Sequence, residues 1–185
     1  MRSKSVSCRC PVCRDEAEWS GQPLARWFRH VRGEIAERGW SVTTHTYGGS
    51  PVGYTLGLWH SYRFPEMAIF GLDKAESTEV LELVATGAAA SREPIPAGQL
   101  VDLVEMPGAG LRLRQVDPSW TWSVLALARQ FYSGAPEVPF LQLNWADDDG
   151  RFPGDEGFDE RLAGLQPMMW LAADEHPEGR WTEID

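Results

Sequence analysis

The chain has 185 residues, of which 43% are hydrophobic, with nine tryptophans and a net charge of −10. That length suits one domain, and the apolar and aromatic content argues for a folded globule with a large aromatic core rather than a disordered chain. The charge repels phosphate backbones and anionic lipid, and Lys and Arg are scattered among acids, which excludes nucleic acid and membrane surfaces as expected partners. No run approaches the ~18 apolar residues of a membrane span, and the N-terminal M-R-S-K-S-V-S-C lacks the apolar middle of a signal peptide, so a cytosolic protein is expected.

The cysteines are Cys8, Cys10 and Cys13, an odd number crowded into six residues, which suits reduced thiols better than a disulfide framework. Cys10-x-x-Cys13 has the bite that lets two thiolates of one turn reach a single zinc ion, and Cys8 can supply a third. A fourth ligand is missing locally; the candidates are His30, His45, His60 or a carboxylate. A metal site and a disordered or redox-sensitive tail both fit this pattern.

Ser20 as N-cap and Pro23 in the first turn open a helix in which Leu24, Trp27, Phe28, Val31 and Ile35 recur at helical spacing, and Arg38-Gly39 ends it. The core is expected to begin at Leu24. Trp40–Tyr47 reads as a strand, turned by Gly48-Gly49-Ser50-Pro51 onto a second strand over Val52–His60. On that second strand Gly53 and Gly57 share one face, which admits either a close-packed neighbour or a ligand. Met67–Leu72, apolar on both faces, reads as a central strand.

Asp73 with Glu76 forms a capping-box start for a second helix whose buried stripe is Val80, Leu81, Val84 and Ala88. Leu100–Glu105 and Leu111–Val116 read as a hairpin around P-G-A-G. Pro118-Ser119 opens a third helix, with Trp120, Val124, Leu127, Ala128 and Phe131 inward and Gly134 at its end. Phe140–Trp145 is the last strand, with Phe140, Gln142 and Asn144 on one face. Irregular structure follows, anchored by Leu165–Leu171, and Asp174–Asp185 is expected to fray.

The stretch T-L-G-L-W-H-S-Y-R-F-P-E-M-A-I-F-G-L (Thr55–Leu72) resembles the signature of a bacterial family catalogued as domain of unknown function 4262. The resemblance also takes in Gly39–Val42, L-Q-L-N-W-A-D-D-D-G-R-F-P (Leu141–Pro153) and Gln166-Pro167. It differs from the family at Ala146, where a proline is usual, and at Gly154, where a tryptophan is usual. The resemblance implies no activity and carries over no catalytic role.

Together the elements predict an α+β domain whose mostly antiparallel sheet, open or partly closed as a barrel, is covered by about three helices. The domain is expected over 21–172, between a cysteine-containing segment at 1–20 and a flexible acidic tail at 173–185. A strand pair followed by a helix and further antiparallel strands is analogous to split barrels that bind flavin, an analogy of fold alone. Nucleotide loops, esterase elbows and zinc-protease motifs are missing from the sequence. Asp147, Asp149, Gly150 and Glu156 fall at EF-hand positions, but Trp145 holds position one and cannot coordinate calcium, so Asp148-Asp149-Gly150 reads as a turn.

Two functional readings follow. In one, the protein is a binding module for a partner protein or a small molecule, with Tyr54, His60, Glu66, Gln142, Asn144 and Gln166 converging on one aromatic-lined cleft. In the other it is a zinc- or flavin-dependent enzyme with His60 and Glu66 as an acid–base pair. Against that pair stands the reading in which His60 caps the bend and Glu66 accepts backbone N–H bonds.

Overall fold

A computed structural model of the protein describes residues 8–102, 110–133 and 138–183. Six strands form one open sheet: β1 (Ser41–Tyr47), β2 (Ser50–Leu56), β3 (Glu66–Phe70), β4 (Leu100–Asp102), β5 (Gly110–Gln115) and β6 (Phe140–Trp145), in the order β1-β2-β3-β6-β5-β4. Every pair is antiparallel except β3 with β6, where Glu66 to Ile69 run beside Phe140 to Leu143 in the same direction. The helices are α1 (Ala25–Arg38), α2 (Leu58–Tyr62), α3 (Lys74–Ser91), α4 (Ala126–Phe131) and α5 (Glu160–Ala163), giving an α+β fold. No helix among the described residues is long and apolar enough to cross a membrane.

Two cores lie on opposite faces of the sheet. On one, Val80, Leu81, Val84 and Ala88 of α3 pack on Met67, Ile69, Leu113 and Leu143. Asp73 caps this helix as expected, accepting from the Glu76 backbone N–H while the Glu76 side chain accepts from the Asp73 N–H. A Cβ added at Gly53 would lie 3.0 Å from the Ser77 Cβ and 3.1 Å from Leu81 Cδ1. That glycine makes room for α3 rather than for a ligand.

On the other face, α1 lays Phe28, Val31 and Ile35 against Tyr54, Leu56 and Phe70. The helix starts later than the sequence predicts: its N-cap is Leu24, without a side-chain bond, so Ser20 does not cap it. It ends at Gly39, whose φ of 96° lets its N–H reach the Ile35 carbonyl. The core also begins earlier than Leu24. Cys8, Cys10 and Trp19 are buried in it, and Trp19 meets the Phe28 ring edge-on at 5.8 Å.

The strand predicted over Val52–His60 stops at Leu56. Gly57 takes φ 110°, which turns the chain into α2, so Trp59 and His60 sit on a short helix rather than on a strand face. The single helix predicted from Pro118 is broken: a 3-10 turn over Pro118–Trp122 gives way to α4 after Ser123 (φ −121°, ψ −92°). The predicted end at Gly134, the P-G-A of the second hairpin and Leu103–Glu105 lie outside the described residues.

The chain after β6 wraps this second face as a strap. The Trp120 indole donates to the Leu171 carbonyl at 2.9 Å, and the Asp117 N–H donates to the Met169 carbonyl at 2.7 Å. Trp181, expected in a loose acidic end, is instead buried edge-on against Phe70 at 5.4 Å, with its indole donating to the Gly164 carbonyl.

Candidate metal centre

The segment from Cys8 to Trp19 folds back on α1 for local reasons. The Cys10 carbonyl accepts from the N–H groups of Cys13 (2.9 Å) and Arg14 (3.1 Å), closing a turn that brings the Cys10 and Cys13 side chains to one side. Asp15 and Glu18 then cap a 3-10 turn over Glu16–Glu18 in both directions. Glu16 reaches α1, pairing with Arg29 at 2.8 Å and Arg32 at 3.4 Å.

This docking sets the thiols against α2. The sulfurs of Cys8, Cys10 and Cys13 and a ring nitrogen of His60 all lie within 4.8 Å of one another. The His60 Nδ1 is 3.2 Å from the Cys13 sulfur and 3.5 Å from that of Cys10. In a tetrahedral site with Zn–S of about 2.3 Å and Zn–N of about 2.0–2.1 Å, neighbouring ligand atoms stand roughly 3.5–3.8 Å apart. The donor set therefore has the size and composition of a Cys₃His zinc site, with the fourth ligand some fifty positions along the chain. Of the other histidines considered, His30 is exposed and lies 3.8 Å from Glu34, and His45 packs edge-on to Tyr54.

The electrostatics point the same way. The neighbouring Cys10 thiol holds the Cys8 pKa down to about 3, whereas the same interaction and burial push Cys10 far up. Burial, then the charge of Cys8, also raises Cys13. Without a cation the cluster stabilises one thiolate and resists a second, and a divalent ion relieves that repulsion. The positive charge of Arg63 opposes that rise at Cys13 only in part, and Arg63 is fixed by its Nη1 bond to the Trp59 carbonyl at 2.9 Å.

Glu66 holds α2 in place rather than facing His60. Its carboxylate is fully buried and accepts from Thr55 Oγ1 (2.7 Å), Gly57 N–H (2.9 Å), Trp59 N–H (3.0 Å) and the Tyr132 hydroxyl. Burial raises its pKa, and the bonds from Tyr132, Trp59, Thr55 and Gly57 oppose that rise. The two N–H donors belong to the N-terminal end of α2, so the buried carboxylate fixes the turn that presents His60. Tyr132 and Thr55 were not singled out by sequence reasoning. A buried strand glutamate demands several donors, but nothing in the sequence says that one comes from a helix far along the chain.

The remaining predicted cleft residues have other partners. Gln142 is buried, donating through Nε2 to the Pro167 carbonyl at 2.6 Å and accepting from the Met169 N–H at 3.1 Å. Gln166 makes two bonds to the backbone of Trp145, at 3.0 and 2.9 Å. Both amides thus fasten the strap to β6. Asn144 is buried opposite Arg112, and neither of its amide atoms has a partner among the described residues; the Tyr54 hydroxyl, also buried, likewise has none. Tyr54 packs with His45 and α1 and stands opposite Ala68 of β3, which in turn stands opposite Gln142 of β6. The EF-hand alternative gives way to a tight turn in which Asp147 accepts from the N–H groups of Asp149, Arg151 and Asp159.

The family model described as "Domain of unknown function (DUF4262)" matches residues 34–159, which includes His60 and Glu66 and begins after the three cysteines. No curated protein and no solved structure matches the chain. The chain resembled this family through Thr55–Leu72 and Leu141–Pro153, and the match covers more than half of it: the chain belongs to the DUF4262 family.

Proposed function

We propose that the protein is a zinc-stabilised binding module, in which Cys8, Cys10, Cys13 and His60 hold a structural Zn²⁺ that locks the N-terminal segment onto the sheet domain. The observation that carries this reading is the mutual approach of four ligand atoms, all within 4.8 Å. A closed set of four protein ligands fits a structural site, because a catalytic zinc keeps one position for water or substrate. Thiolate and imidazole donors also favour zinc over the oxygen-loving cations.

The enzyme reading has less support. Its acid–base pair needs Glu66 within reach of His60, whereas the bonds of Glu66 run to Thr55, Gly57, Trp59 and Tyr132 and those of His60 to the thiols. The test is metal content after expression with zinc supplied. One zinc per chain, loss of thermal stability in chelator, and the charge-transfer bands of a thiolate site after cobalt substitution are expected. A protein without stoichiometric metal and with the same melting temperature in chelator would overturn the zinc reading.

A further inference from the structure

The helix break after Trp122 leaves one tryptophan in solvent. Trp122 is 70% exposed, and the Arg129 guanidinium lies 3.2 Å from the centre of its ring. Behind this pair is a cavity of about 180 Å³ walled by Ala128, Tyr132, Val138 and Phe140. A second cavity, of about 150 Å³, adjoins it through Val138 and Phe140 and is closed by Pro118 and Pro139.

The walls carry two hydroxyls, both engaged: Thr121 Oγ1 donates to the Pro118 carbonyl at 2.7 Å and the Tyr132 hydroxyl donates to Glu66. The tyrosine therefore offers its ring beside the apolar side chains of Ala128, Val138 and Phe140, while Gln115 borders the second cavity. Cavities of about 150 Å³ lined by apolar groups accept a benzene-sized body. The rim is cationic: the face of Arg129 is stacked on Trp122, and among the described residues no acid pairs with it. Stacking occupies the face of a guanidinium and leaves its in-plane N–H groups free to grip a carboxylate.

We propose that this is a binding site for a small carboxylate carrying one ring, with the ring between Tyr132, Val138 and Phe140 and the carboxylate on the edge of Arg129. This gives the binding-module part of the functional reading its ligand class; it does not depend on the metal. Charge complementarity selects this occupant over a neutral apolar one, and the single-ring volume selects it over a larger one.

The test uses the full, zinc-supplied chain, titrated with phenylacetate and separately with 2-phenylethanol while the Trp122 indole N–H is followed by NMR. A saturable shift is expected with phenylacetate, at an affinity of about millimolar or tighter for a ligand of that size. Affinity for 2-phenylethanol should be weaker by about fivefold or more, and Arg129→Gln should remove the difference without lowering the melting temperature. Trp122→Phe assigns the signal. No saturable shift, equal affinity for the two probes, or an unchanged difference in Arg129→Gln would each overturn the proposal. So would sedimentation showing a dimer in which Trp122 is buried, because the occupant would then be a second copy. Failure here with zinc still bound would leave the metal reading standing.

Discussion

The hydroxyl of Tyr132 donates to the carboxylate of Glu66 at a point where both side chains are buried, joining the end of α4 to the start of β3. Burial raises the folded-state pKa of Glu66 above its unfolded value. A carboxyl shifted in that direction binds its proton more readily when folded, so its contribution falls as pH rises through the folded pKa and recovers on acidification toward about pH 4.3. Urea unfolding of wild type and Glu66→Gln should therefore show a pH window, above the ordinary carboxylate range, in which the wild-type advantage grows as pH falls. A difference that does not change with pH would contradict the raised pKa. Tyr132→Phe removes a donor that opposes the rise, so it should move the window upward and cost about 1–3 kcal/mol.

Gly57→Val should be severely destabilising for two reasons that act together. The backbone sits at φ 110°, and an added Cβ would lie 2.7 Å from Ile35 Cγ1 and 2.9 Å from the Gly39 carbonyl oxygen. Overpacking costs roughly 1–3 kcal/mol and left-handed strain a similar amount. Because Gly57 also starts α2, loss of zinc affinity should accompany the loss of stability. A variant with the wild-type melting temperature would contradict both arguments.

Gln142→Leu keeps the volume and removes the two bonds to Pro167 and Met169. A buried carbonyl and N–H left without partners should cost about 1–3 kcal/mol. The loss should appear as faster amide exchange at Met169 and neighbouring strap residues, with β1 and β2 unaffected. Uniform exchange across the sheet would mean that the strap does not open as a unit.

Among the metal ligands, exposure separates the outcomes. Cys13 is exposed and Cys10 is fully buried in the core. Cys13→Ser should weaken zinc binding by about tenfold or more while the chelated protein melts like chelated wild type. Cys10→Ser should lower both zinc content and the stability of the chelated form, since a hydroxyl replaces a buried sulfur. Atomic absorption and thermal melts on the same preparations distinguish the two.

Much of this architecture could be read from residue pattern. The capping box at Asp73, the buried stripe of α3, the Gly39 stop and the strand Phe140–Trp145 all follow from local chemistry. What could not be read is non-local. Gly57 and His60 continue the alternation of β2, and only the packing of Ile35 and the donors needed by Glu66 turn them into a helix. His60 was one of several candidate fourth ligands, and only the docking of the N-terminal segment, through the burial of Cys8, Cys10 and Trp19 and the pairing of Glu16 with α1, selects it. The polar face of β6 suggested a pocket, but Gln142 and the strap's Gln166 instead supply bonds between strand and strap, a use of buried amides with no signature in spacing.

The parallel contact between β3 and β6 has a kinetic side. The strands β1 to β3 pair with sequence neighbours, β4 pairs with β5, and β5 pairs with β6 across the connection that carries α4, so each half of the sheet is built from strands consecutive in the chain. Joining the halves requires the whole stretch from α3 through α4 to be gathered in, and such long closures are slow relative to hairpins. Until it happens, M-A-I-F and F-L-Q-L each present an unpaired apolar edge, the kind of strand that associates between chains. Refolding at high concentration should therefore lose more protein to aggregates than refolding at low concentration, and Glu66, at the head of β3 opposite Phe140, marks the point where the two halves must meet.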